Sequence, residues 1–174
     1  MKEHPILFSG SMVRAILAGR KTMTRRVVNP QPEDGTDCPY YVGVANDRKA
    51  RVCPYGSKGT RLWVRETFFN SRGDDSMPTH YRADENDEDF QLKWKPSIFM
   101  PRWASRITLE IESVRIERLH DISEDEAKAE GTEDSEIGIA HRTCFHILWD
   151  SINKKRGFGW SENPWVWVIQ FHRL

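Results

Sequence analysis

Lys21 and Thr24 stand three residues apart in the run GRKTMTRR, Gly19 to Arg26. A threonine hydroxyl becomes a useful nucleophile once a base takes its proton. A lysine serves as that base when burial or nearby cations favour its neutral form. Arg20, Arg25 and Arg26 supply cations in sequence. In a flat strand an offset of three puts two side chains on opposite faces. The chemistry therefore requires a turn over Gly19–Lys21 that lets the lysine stem reach round to Thr24. The other reading of the same run is a solvated basic turn before a strand.

Glu130 closes a short acidic stretch just before Gly131. A carboxyl there can give or take a proton at a departing amine; equally, it is one more surface glutamate among Glu124, Glu126 and Glu133. Trp63, Arg65 and Glu66 lie in LWVRET, where an aromatic beside an arginine can stack on a base and hold its phosphate or edge. They can also be a wall tryptophan and a surface ion pair. Trp94, Arg102 and Trp103 in WKPSIFMPRW admit the same two readings. His141, Cys144 and His146 sit close together in HRTCFH, but His146 projects away from the face the other two share, so no metal is expected.

The elements that must position these residues can be read from periodicity. SGSMVRAILAG carries a helical stripe of Met12, Val13, Ile16 and Leu17, with Ser9 or Ser11 as cap and Gly19 as stop. TMTRRVV reads as a strand, as does TRLWVRETFF over 60–69. SRITLEIESVRIERL over 105–119 alternates, with Ile107, Leu109 and Ile111 facing one way. ISEDEAKAEG is a short helix with Ser123 and Glu126 at capping-box spacing and Gly131 as its end. HRTCFHILWDSI is a longer helix with Phe145, Leu148, Trp149 and Ile152 on one stripe. PWVWVIQF is a strand whose Trp165, Trp167, Ile169 and Phe171 share a face. Four prolines and three glycines make 29–58 a loop-rich excursion, and 70–95 is an acidic, turn-rich insertion. The expected fold class is α+β: a small mixed sheet curled into a barrel, with helices at its ends.

The chain has 174 residues, 38% hydrophobic and 30% charged, with a formal net charge of zero. That suits one domain over 1–174 with insertions around 29–58 and 70–95, and nothing global draws it to nucleic acid. The charge is unevenly spread: residues 1–31 carry six Lys and Arg against Glu3 alone, so one patch can attract phosphate. No apolar run is long enough to span a membrane, and the start lacks the apolar segment of a signal peptide. Three cysteines without a CxxC fit a reduced cytoplasmic setting.

Taken together, PILFSGSMVRAILAGRKTMTRRVV, LWVRET, KPSIFMPRWASRITLEIESVRIERLHDISEDEAKAEG and LWDSIN…NPWVWVIQF resemble the ASCH-domain proteins of bacteria and their prophages. The resemblance covers most of the chain outside 32–58 and the acidic part of the insertion. It implies a PUA-like small curled mixed β-barrel with flanking helices, and binding of RNA or nucleotides. Some small members are amidohydrolases that remove the acyl group from N(4)-acetylcytidine, using a lysine and a threonine in a GxKTxT-like segment and a glutamate in the later acidic helix. The resemblance places these at Lys21, Thr24 and Glu130, with Glu126 and Glu133 as neighbouring candidates for the glutamate. Arg20, Arg26, Trp63, Arg65 and Glu66 are then expected to bind substrate, an acylated cytidine nucleoside or RNA. No cofactor is expected. The alternatives are a non-catalytic module that binds RNA or a modified base, and a ribonuclease.

Overall fold

The C-terminal run Trp165–Arg173 alternates large apolar residues toward both of its faces, which suits an inner strand covered on each side. In the computed structural model, residues 3–32, 52–75, 79–84, 93–133 and 138–174 are described. They form strands β1 (Glu3–Leu7), β2 (Met23–Val27), β3 (Arg61–Arg65), β4 (Phe68–Phe69), β5 (His80–Tyr81), β6 (Thr108–Arg118) and β7 (Trp165–Arg173). The helices are α1 (Gly10–Leu17), α2 (Glu124–Ala129) and α3 (His141–Asn153), with several single 3₁₀ turns.

Five strands make one mixed sheet in the order β1-β3-β6-β7-β2, and β4 pairs with β5 in a second, two-stranded one. Only β1 and β3 run parallel; the other pairs are antiparallel. The fold class is α+β, as expected. The sheet itself is open, because β1 and β2 at its two edges are not paired to each other, so the barrel is curled rather than closed.

One face of the sheet packs Trp167, Ile169 and Phe171 of β7 against Ile107, Leu109 and Ile111, with Val13 and Ile16 of α1. The other face packs Val166 and Val168 against Phe145 and Trp149 of α3 and Leu119, Ile122 and Ala127 around α2. The strand over 60–69 breaks in two at Glu66 and Thr67, and its second part leaves for the small sheet. Strand β1 carries little signal in the sequence: its five residues hold one proline and little alternation, and its pairing with β3 supplies the order.

A bulge in β6 decides where its charged residues go. Ile111 faces Phe171 and Ser113 faces Gln170, so Glu112 is the extra residue. A bulge shifts the two-residue alternation by one. Before it Ile107, Leu109 and Ile111 enter the core; after it Val114 and Ile116 do. Arg115 and Glu117 thereby point to the opposite face, toward β2 and α2.

Candidate active site

Helix α1 is capped by Ser9, whose Oγ accepts from the Met12 N–H at 3.5 Å. It ends at Gly19, with φ of 73°, a conformation that costs glycine little. The N–H groups of Arg20 and Lys21 both return to Ala15 O, at 2.9 and 3.1 Å. This closes the turn that the lysine–threonine spacing requires. Lys21 lies before β2, in an isolated antiparallel bridge with Glu130, while Thr24 lies within β2 opposite Ile169.

Glu130 arrives from α2, which opens on a complete capping box between Ser123 and Glu126. Gly131, with φ of 87°, lets the helix end touch the lysine: a Cβ there would sit 2.9 Å from both Ala15 Cβ and Lys21 Cβ. The Lys21 ammonium donates to Met23 O at 2.8 Å, Glu130 O at 2.7 Å and Glu130 Oε2 at 2.8 Å. Its side chain has no exposed surface and that of Glu130 is 4% exposed. Burial pushes the Lys21 amine below the usual lysine value, and the Glu130 charge opposes this.

Arg25, also fully buried, completes the cluster. It reaches Glu117 Oε1 at 2.5 Å, Glu126 Oε2 at 2.9 Å and Glu130 Oε1 at 3.4 Å. Arg115 contacts Glu117 and Glu126 from the far side. Three cations, Lys21, Arg25 and Arg115, thus face three carboxylates. Burial acts to raise the Glu126 carboxyl, but the Ser123 N–H, Arg25 and Arg115 together hold it below the usual carboxylate range.

Beside this cluster is a cavity of about 130 Å³. Thr24, Arg26 and Glu130 line it, with Phe145, Trp149 and Asn153 of α3, and Tyr55 and Arg156. The Thr24 side chain makes no hydrogen bond among the described residues. The three glutamates separate here. Glu130 lines the cavity with Thr24; Glu126 is spent on the helix cap and two arginines; Glu133 is exposed and pairs with Arg20 at 3.3 Å.

The remaining expected binding residues lie elsewhere. Arg20 points to Glu133 and lines no part of the cavity. Trp63 and Arg65 are on β3, separated from β2 by β6 and β7. The Arg65 guanidinium lies 4.6 Å from the Trp63 ring centroid and that of Arg102 lies at 6.0 Å, so arginines already occupy the ring. Glu66 is clamped by Arg106 through two 3.0 Å bonds. Burial raises its carboxyl above the usual range, with Arg106 opposing. Ile152, expected on the apolar stripe of α3, is 46% exposed. His141 bonds Thr132, and His146 stacks on Trp160. No three of the described His, Cys, Asp and Glu residues group so as to hold a metal. No helix among the described residues is long and apolar enough to cross a membrane.

No family model matches the chain, and a search of curated proteins finds no match. Among solved structures the chain is similar to the ASCH domain from Lactobacillus crispatus, at a TM-score of 0.48 and 16% identity over 99% of this chain and 79% of that one. It is also similar to a DUF984 protein from Enterococcus faecalis, at a TM-score of 0.48 and 10% identity over 100% and 80% of the two chains. These likenesses concern the fold alone.

Proposed function

We propose that the chain hydrolyses the acyl group from the exocyclic amine of an N(4)-acylated cytidine. The observation that carries this is the meeting of Thr24 and Glu130 on one cavity wall, with Lys21 locked behind Glu130. The geometry alters the part given to Lys21. An ammonium donating to three acceptors has no lone pair to offer Thr24. In this reading Lys21 and Arg25 orient Glu130, and Glu130 moves the proton. Its carboxylate takes the proton from Thr24 Oγ1 as that oxygen attacks the acyl carbonyl. It then gives the proton to N4 as the C–N bond breaks and cytidine leaves. Water cleaves the acyl-threonine, returning the hydroxyl and releasing the carboxylic acid.

The test is release of cytidine from N(4)-acetylcytidine by purified protein, followed by chromatography. Thr24→Ala and Glu130→Gln are each expected to lower turnover by roughly a hundredfold or more. Wild-type rates in both folded variants would remove the assignment. A second reading, a module that binds a modified base without cleaving it, is favoured by one observation: Lys21, Arg25 and Glu130 are all engaged with one another, as in a structural ion cluster. It predicts binding without product in any variant, wild type included.

A further inference from the structure

Two guanidinium groups at the cavity, Arg26 and Arg156, make no ion pair with a carboxylate among the described residues. Arg26 donates through Nη2 to Leu7 O at 2.6 Å and lies over the rings of Phe8 and Tyr55, with centroids at 5.1 and 5.9 Å. Its buried Nε has no hydrogen-bond partner. Arg156, which is exposed, donates to Asn153 Oδ1 at 3.4 Å and has no other hydrogen-bond partner among the described residues. Arg25, which lines the same cavity, is different: three glutamates neutralise it.

Holding two like charges near one another, with neither ion-paired, is unfavourable unless something offsets it. Burial acts most strongly against the charged form of Arg26; Tyr55 and the Glu130 charge oppose this, and the neighbouring Arg156 charge adds to it. Arg156 belongs to the basic turn Lys154–Arg156 that follows α3, so further positive charge lies next to it. Lys154 is turned back toward Asp150, at 3.7 Å. An anion arriving between Arg26 and Arg156 would relieve their repulsion and satisfy donors that the protein leaves open. Phosphate suits the forked guanidinium geometry.

We propose that the cavity takes its substrate as a nucleotide, with a phosphate seated between Arg26 and Arg156. This rests on the cytidine reading above, and adds that a bare nucleoside is the poorer ligand. The phosphate is that of a free cytidine monophosphate or of a cytidine within an RNA chain.

The experiment measures binding and turnover separately. Calorimetry at low salt compares cytidine, cytidine 5′- and 3′-monophosphate and a short RNA with one internal cytidine, on wild type, Arg156→Ala and Lys155→Ala. A phosphorylated ligand is expected to bind wild type roughly tenfold or more tighter than cytidine, the scale of a charged hydrogen bond. Arg156→Ala is expected to abolish that ratio, and Lys155→Ala, a neighbouring cation that does not line the cavity, to retain it. A monophosphate that binds as tightly as the RNA assigns the site to free nucleotide; binding confined to the RNA assigns it to the chain. Equal affinity for cytidine and every phosphorylated ligand would overturn the proposal. So would a ratio that survives Arg156→Ala. N(4)-acetylcytidine and its monophosphate are then compared for product. If neither is cleaved while the Arg156-dependent ratio stands, the hydrolase reading falls and the phosphate site remains.

Discussion

Lys21 Nζ lies 2.8 Å from Glu130 Oε2, joining residues 109 positions apart at a point where neither side chain meets solvent appreciably. Two charges leave water together here, and each is tolerable only because the other is present. Removing one partner should be far costlier than removing an exposed pair. Lys21→Met and Glu130→Gln should each lower stability by roughly 3–5 kcal/mol. Arg20→Ala, which breaks only the exposed contact with Glu133, should cost about 1 kcal/mol or less. Urea denaturation of the single and double variants checks this. A double-variant loss equal to the sum of the singles would show that the pair is not coupled.

Gly131 and Gly19 both have positive φ, yet they differ in surroundings. A Cβ at Gly19 meets nothing within 4 Å, whereas one at Gly131 meets Ala15 and Lys21 at 2.9 Å. Gly19→Ala should carry only the backbone penalty, roughly 1–2 kcal/mol. Gly131→Ala should add overpacking of about 1–3 kcal/mol, and should weaken activity because it displaces Glu130 from Lys21. Equal melting temperatures for the two variants would contradict the close approach.

Glu126 sets a pH signature. Its carboxyl is held below the ordinary value of 4.5 in the folded chain, burial being outweighed by the Ser123 N–H, Arg25 and Arg115. The folded state therefore favours the ionised form. The resulting stability is fully present above the ordinary value and is lost as pH falls through the lower folded one. Glu126→Gln should reduce the melting temperature at pH 7, with the gap to wild type shrinking below about pH 4.5. A gap that stays constant down to pH 3 would exclude this linkage.

The two cysteines among the described residues, Cys53 and Cys144, should react unequally. Cys53 is buried, and burial pushes its thiol up to about 11. Almost none is thiolate at pH 8, and the thiolate is the nucleophile. Cys144 on α3 is partly exposed. Brief iodoacetamide treatment followed by peptide mass mapping should label Cys144 well before Cys53. Comparable labelling would mean that the packing around Cys53 opens readily.

Local patterns in the chain are enough for α1, α2, α3, β2, β6 and β7. Apolar spacing, Ser9 and Ser123 at the starts, and Gly19 and Gly131 at the ends all act within a few residues, so their signals survive without the fold. The segment holding Lys21 and Thr24 was legible for the same reason. Tertiary structure decided the rest. Nothing local says that Glu112 is a bulge, yet that single extra residue turns Arg115 and Glu117 out of the core and toward Arg25. Nothing local separates Glu130 from Glu126 and Glu133; the choice comes from which carboxylate the end of α2 delivers to Lys21. Asn153 and Arg156 carried no sequence signal for the cavity, because its walls come from α1, β2, the end of α2, the segment at Tyr55 and α3 with the turn after it, and only packing brings those together. Trp63 and Arg65 had the composition of a base-stacking pair, but Arg65 and Arg102 lie over the Trp63 ring. Periodicity is a property of neighbours along the chain, while a site is a property of neighbours in space.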